Sequence, residues 1–254
     1  MNPPAPDAVP RKRADVLLVE CGFFESRAKA RAAIEAGGVT ADGRVVAKAS
    51  EIIDEGCTIS AVAAHPWVGR GALKLAHALE TWPVIVEGAV VLDVGASTGG
   101  FTEVCLTKGA VHVYAVDVGR GQLHGSLAED PRVTNLEATD ARNLTAALIP
   151  EPPTLIVTDV SFIGLAKVLP AALNLAADGA NLIALVKPQF EVGPRAVGKG
   201  GVVKDHQART GALATVVAFL ETSGWPVQAT TDSPIEGGDG NREYLLWARK
   251  GRLG

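Results

Sequence analysis

The chain has 254 residues, 47% of them hydrophobic, and a formal net charge of −4. That length suits one large domain plus a small one. No apolar run reaches the roughly 18 residues that cross a bilayer, and the three widely spaced cysteines, Cys21, Cys57 and Cys105, argue against a disulfide framework and a C-x-x-C zinc site. A reducing, cytoplasmic setting is expected, with no membrane and no metal, for a chain acting as a monomer.

Residues 1–10, "MNPPAPDAVP", lack the apolar core of a secretory signal and read as a disordered, proline-rich tail. Residues 11–62 form a small α+β module. "RADVLLVECGF" is predicted as a short helix closed by Gly22, and "ESRAKARAAIEAGG" as a second, with Ser26 as N-cap and Gly37-Gly38 as its stop. "GVTADGRVVA" predicts a hairpin turning on Asp42-Gly43, and "CTISAV" a further strand. Residues 11–48 hold eight basic and five acidic side chains, so this segment carries +3 and the remainder −7. A basic module on an acidic body suggests that one part docks on a polyanion. Arg27, Lys29 and Arg31 sit in the first two turns of the second helix, where positive charge opposes the macrodipole. A phosphate there would answer them; an ordinary solvated face is the alternative. The stretch "RADVLLVECGFFESRAKARAAIEAGGVTADGRVV" resembles the αL RNA-binding motif of the ribosomal-S-four type. That resemblance implies that Arg11, Arg13, Arg27, Lys29 and Arg31 face structured RNA, and Arg70 joins them.

Residues 63–71 read as a linker, broken by His65, Pro66, Gly69 and Gly71. From residue 72 to 254, helix-length segments alternate with apolar β-rich runs, which predicts a doubly wound, Rossmann-like α/β sheet. The expected strands are 90–94, 111–117, 132–137, 154–159, 181–187, 226–231 and 243–249.

A glycine-rich turn follows the first of these strands in "VVLDVGASTGGFTEV" and opens a helix, the context that gives such a turn meaning. Gly95, Ser97, Gly99 and Gly100 belong to it. Asp117 ends the second strand 22 residues after Gly95, close to the spacing of about 20 expected for an acid on ribose hydroxyls. The turn therefore points to a nucleoside. Asp93 at its mouth would repel a pyrophosphate and favour the ammonium and sulfonium of S-adenosyl-L-methionine over NAD. Asp140, after the third strand, is placed to receive the adenine amine. Acids at three successive strand ends suit a cationic cofactor.

The acceptor side is read from the open edge of the sheet, where such folds bind ligands. Asp159 and Lys187 end otherwise apolar strands, and a buried charge without a partner is costly. Glu243 begins the last strand, and lies at the same edge if that strand runs antiparallel. Lys74 lies on the helix before the first strand.

The order Lys74, Asp159, Lys187, Glu243 resembles the catalytic tetrad of FtsJ-type RNA ribose 2′-O-methyltransferases. The stretches "DVGASTGGFTEV", "VYAVDVGRGQL", "DVSFIGL", "LVKPQFEVG", "GGVVKD" and "GNREYLLW" resemble the TlyA, or haemolysin A, family, from residue 11 almost to the end. The resemblance implies cytidine 2′-hydroxyl methylation in ribosomal RNA of the small or large subunit, with ribosomal subunits as partners. It also implies that Lys74, Asp159, Lys187 and Glu243 form the catalytic set, with Lys187 taking the hydroxyl proton or orienting it. "GRGALKL" departs from the pattern, where a serine and a second glycine are expected. Three other readings compete. A haemolysin or pore-forming protein needs a signal or inserting segment, and none is seen. A non-catalytic RNA-binding factor is opposed by the intact tetrad and cofactor acids. A base or DNA methyltransferase is opposed by the lack of an N-P-P-Y tetrapeptide and of a Pro-Cys pair.

Overall fold

The structure is a computed structural model that describes residues 10–193, 197–198, 200–237 and 240–251. Of the expected tail, residues 1–10, all but Pro10 lies outside the described residues. The chain divides into two compact units, one ending at Pro66 and the other beginning at Trp67.

In the first unit, β1 (Arg11–Arg13) leads into α1 (Ala14–Glu20), and α2 (Arg27–Glu35) packs beside it. Ser26 caps α2 by accepting the Lys29 amide at 3.3 Å. Gly37, at φ +74°, ends it in the left-handed conformation that glycine adopts without strain. The predicted hairpin is β2 (Val39–Ala41) and β3 (Arg44–Val45). Asp42 and Gly43 turn it with φ +48° and +77°, the double left-handed turn that matches strand twist. β4 (Ile52–Asp54) pairs with β1, and β5 (Ile59–Ala61) pairs with β2 on the side away from β3. Leu17, Leu18, Ala30, Ala33, Ile34 and Val39 fill a small core of their own.

The second unit opens with α3 (Ala72–Thr81), then β6 (Val90–Val94), α4 (Gly100–Thr107), β7 (His112–Val116), α5 (Gly125–Ala128) and β8 (Val133–Leu136). A short 3-10 turn at Ala141–Asn143 precedes β9 (Leu155–Thr158), α6 (Leu165–Val168), α7 (Pro170–Leu175) and β10 (Asn181–Val186). The remainder is α8 (Pro188–Glu191), α9 (His206–Thr222), β11 (Val227–Asp232) and β12 (Tyr244–Arg249). Among the described residues the strands make one seven-stranded sheet, ordered β11-β12-β10-β9-β6-β7-β8. β6 to β10 run parallel, and β12 is antiparallel to both its neighbours. Alternate residues serve opposite faces, as the strand period requires. Leu182, Ala184 and Val186 pack with Leu169, Val216 and Trp225 on one side. Ile183 and Leu185 pack on the other side, in the cluster that holds Leu75, Phe101 and Val104.

This order reverses between β6 and its neighbours β7 and β9, so a crevice opens at the carboxyl ends of those strands. The segment read as linker is divided: Trp67 packs on the core beneath α3 and α4, and the Val68 amide donates to Glu103 at 2.6 Å. Residues 67–71 thus belong to the second unit.

Candidate active site

The glycine turn after β6 is built from unusual backbone. Gly95, Ser97 and Gly99 have φ of +87°, +48° and +94°. A Cβ on Gly95 would stand 2.9 Å from the Val160 side chain, so the turn closes only around a bare Cα. Asp117, just past β7, accepts the Ser97 amide at 2.8 Å and the Gly119 amide at 2.7 Å. It ties the turn to the next strand while lining the cleft above it. That cleft holds about 530 Å³, and Gly95, Ser97, Asp117, Asp140, Asp159 and Phe162 are among its walls.

One expectation is corrected here. Asp93 does not stand at the mouth of the turn. It is fully buried beneath it, with Thr102 Oγ1 donating to Oδ2 at 2.7 Å and no hydrogen-bond partner for Oδ1 among the described residues. Desolvation pushes its pKa up to about 7, against the pull of the Thr102 bond. Asp140 lines the cleft, and its carboxylate is held in place by Arg142. Arg142 grips it through Nε at 3.0 Å and Nη2 at 2.6 Å, and the Arg142 amide donates to Oδ1 at 2.9 Å. That grip holds the Asp140 pKa down at about 2. Gly99 and Gly100 are not among the walls of this cleft, and Gly100 lines a smaller neighbouring pocket. Gly99 lets the Leu123 and Leu127 side chains pass close, and Gly100 lies against the Ala72 amide as α4 begins.

A second, smaller pocket of about 230 Å³ adjoins the first and shares Gly95, Ser97, Asp159 and Ser161 with it. Its other walls include Arg70, Gly71 and Lys187. Asp159 follows β9 and Lys187 follows β10, so parallel neighbours deliver them to one edge. Lys187 Nζ lies 2.6 Å from the Asp159 carboxylate and donates to Ser161 Oγ at 2.8 Å. Glu243 immediately precedes β12, whose antiparallel direction brings it to the same edge. It meets Lys74, in the first turn of α3, at 2.5 Å, and both side chains are buried. The four charged residues therefore form two ion pairs. The Lys74 amide is bonded to the Gly71 carbonyl, and a Cβ on Gly71 would stand 3.1 Å from Asp159 Oδ2, which brings the start of α3 against the Lys187–Asp159 pair.

Two residues at the cleft, both within "DVSFIGL", are not among the expected site residues. Ser161 is an ordinary loop serine until Lys187 reaches it. Phe162 holds φ +69°, is 90% exposed, and rests on Phe190 with ring centroids 5.2 Å apart. A bulky residue in left-handed backbone is strained, and Phe162 stands exposed on the wall of the cleft. Among the described residues no group of three or more His, Cys, Asp or Glu side chains is arranged to hold a metal ion.

In the first unit the basic residues are largely paired. Arg11 meets Asp54 at 2.8 Å and Lys29 meets Glu25 at 2.7 Å. Arg13 and Arg27 converge on Asp15, whose side chain is wholly buried, at 2.9 and 2.6 Å. The two guanidiniums hold the Asp15 pKa down at about 2. Arg27, at the start of α2, thus has a carboxylate partner within the fold while its side chain stays more than half exposed. Arg31 is exposed on α2. Arg70, in the second unit, donates to the Glu236 carbonyl at 2.9 Å.

The family described as FtsJ-like methyltransferase matches residues 67–250, and the S4 domain family matches residues 12–59. The 16S/23S rRNA (cytidine-2′-O)-methyltransferase TlyA of Mycobacterium tuberculosis is 46% identical over 241 residues, spanning 94% of this chain and 90% of its own. The chain belongs to the TlyA family. A solved member from Streptococcus thermophilus, which carries a hemolysin label, superposes on this TlyA-family chain with TM-score 0.76 at 40% identity, covering 96% of this chain and 90% of that one. An S-adenosylmethionine-dependent methyltransferase from Mesorhizobium loti, only 16% identical, shares the fold with TM-score 0.51 over 71% of this chain and 99% of its own. The hemolysin label thus sits on a methyltransferase fold. Among the described residues no helix is long and apolar enough to cross a membrane.

Proposed function

We propose that this protein uses S-adenosyl-L-methionine to methylate the ribose 2′-hydroxyl of cytidine in ribosomal RNA, in the cytoplasm where ribosomes are found. The observation that carries the reading is the Lys187–Asp159 pair, backed by the buried Lys74–Glu243 pair, at the rim of a nucleoside-sized cleft. The cleft volume falls within the range of about 300–1,000 Å³ usual for small-ligand sites. Asp117 and Asp140 line it, Gly95 and Ser97 bring backbone close to it, and Gly99 and Gly100 shape the turn beneath. Asp93 supports the turn from below. When bound, the cofactor supplies a methyl group on a positively charged sulfur, which suits an acid-lined cleft.

The acceptor is a weak acid, and its proton must leave as the oxygen attacks. Lys187 Nζ is the group placed to take that proton once it has released one of its own to solvent, because Asp159 and Ser161 fix its position at the shared wall of the two pockets. Glu243 answers the charge of buried Lys74, so neither is left as an unpaired ion beside the reacting oxygen. This set suits removal of a hydroxyl proton. It holds no thiolate for activating a ring carbon. The first unit then docks the protein, with Arg11, Arg13, Arg27, Lys29 and Arg31 facing rRNA phosphates, and Arg70 guides the strand at the smaller pocket.

The test is transfer of labelled methyl from S-adenosyl-L-methionine to isolated ribosomal subunits. Product RNA is expected to resist alkaline cleavage at one or a few cytidine linkages, and Lys187→Ala is expected to abolish transfer while cofactor affinity stays nearly unchanged. Labelled RNA that alkali cleaves at every linkage, releasing the label on mononucleotides, would overturn the acceptor assignment.

A further inference from the structure

The loop between β9 and α6, residues 159–164, carries much of the site, and the chain just beyond β10 holds it from one end to the other. Lys187 grips Asp159 and Ser161 at its start. Phe190 supports Phe162 in its middle. At its far end Glu191 Oε1 accepts the Leu165 amide at 2.8 Å. That last contact answers a need. Leu165 opens α6, and the residue at the cap position is Gly164, which has no side chain to satisfy the free amides of the first turn. The bare Cα of Gly164 also makes room for the carboxylate, since a Cβ there would stand 3.0 Å from Glu191 Oε2. Glu191 thus acts as a cap supplied from another helix.

We propose that Glu191 is a positioning residue for methyl transfer, which caps α6 from α8 and so fixes the 159–164 loop against Lys187. It lines neither of the two pockets, so its effect passes through Asp159 and Ser161. Burial raises its pKa, but either protonation state keeps an oxygen able to accept the Leu165 amide. The amide group of glutamine keeps one too.

The inference rests on the proposed function, and the test separates the two. Full-length Glu191→Ala, Glu191→Gln and Lys187→Ala are assayed for methyl transfer to ribosomal subunits, alongside cofactor binding and deuterium exchange at the Leu165 amide. Glu191→Ala is expected to lower kcat about tenfold, with KM for the subunit within about twofold of wild type, since a small misplacement of reacting groups costs rate before binding. Its Leu165 amide exchanges faster, whereas Glu191→Gln keeps both the protection and kcat. Wild-type kcat in Glu191→Ala overturns the proposal. Equal loss in Glu191→Gln overturns it too, because charge rather than capping would then matter. So does a loss in Glu191→Ala that is carried wholly by cofactor affinity or KM. If Lys187→Ala retains turnover, the site reading itself fails; if Lys187→Ala is dead and Glu191→Ala is fully active, only the role of Glu191 fails.

Discussion

Asp93 and Asp117 stand one strand apart at the same sheet edge, yet burial gives them different parts. Asp117 keeps the glycine turn in shape through the Ser97 and Gly119 amides and faces the cleft. Asp117→Ala should therefore weaken S-adenosyl-L-methionine binding by about 1–3 kcal/mol, read by calorimetry. Asp93 is sealed below, with its pKa raised from 3.8 to about 7. An acid raised in this way stabilises the fold fully below its unfolded pKa, and that contribution is lost as pH rises through the folded value. Wild type should lose stability relative to Asp93→Asn between pH 4 and pH 7, by up to on the order of 4 kcal/mol, in denaturant titrations followed across pH. Asp15 works in the opposite sense. Arg13 and Arg27 lower its pKa from 3.8 to about 2, so its contribution is present above 3.8 and fades as pH falls through 2. Arg27 is consequently a poor probe of RNA binding. Arg27→Ala should cost the first unit about 1–3 kcal/mol of stability. Exposed Arg31 is the cleaner test: Arg31→Glu should raise the subunit KM and reduce the salt slope by about one phosphate's worth, with the melting temperature unchanged.

At the scale of elements, the sheet was legible because buried parallel strands are written as continuous apolar runs. The LIALV run of β10 stands out in the chain for that reason. The charged residues that end β9 and β10 were legible as well, because a charge closing an apolar run needs a partner. What the sequence hid is short or non-local. β1 and β4 have three residues each and α8 has four, too few to show a period. The Arg27–Asp15 contact spans 12 positions and depends on how α1 meets α2. The burial of Asp93 follows from α4 folding back over it, which no local pattern records. The stretch before β12 shows the same limit. Asn241 is buried, accepts the Val203 amide at 3.0 Å and donates to the Gly201 carbonyl at 3.0 Å. It ties residues 201–203 to the stretch that delivers Glu243 two residues later. Asn241→Ala leaves two backbone groups unsatisfied and should cost about 1–3 kcal/mol in stability, measured by chemical unfolding.

Across the whole molecule, charge and chemistry are divided. The segment 11–48 carries the positive surplus, while the remainder is acidic and holds the cleft. Each unit has its own core. The central claim is that the acceptor is a ribose hydroxyl, and it is tested most directly by a target RNA carrying 2′-deoxycytidine at the modified position. That RNA is predicted to bind with near-normal affinity and to take up no methyl, whereas the ribose form is methylated under the same conditions. Methyl transfer to the deoxy substrate would place the acceptor on the base and contradict the roles given to Lys74, Asp159, Lys187 and Glu243.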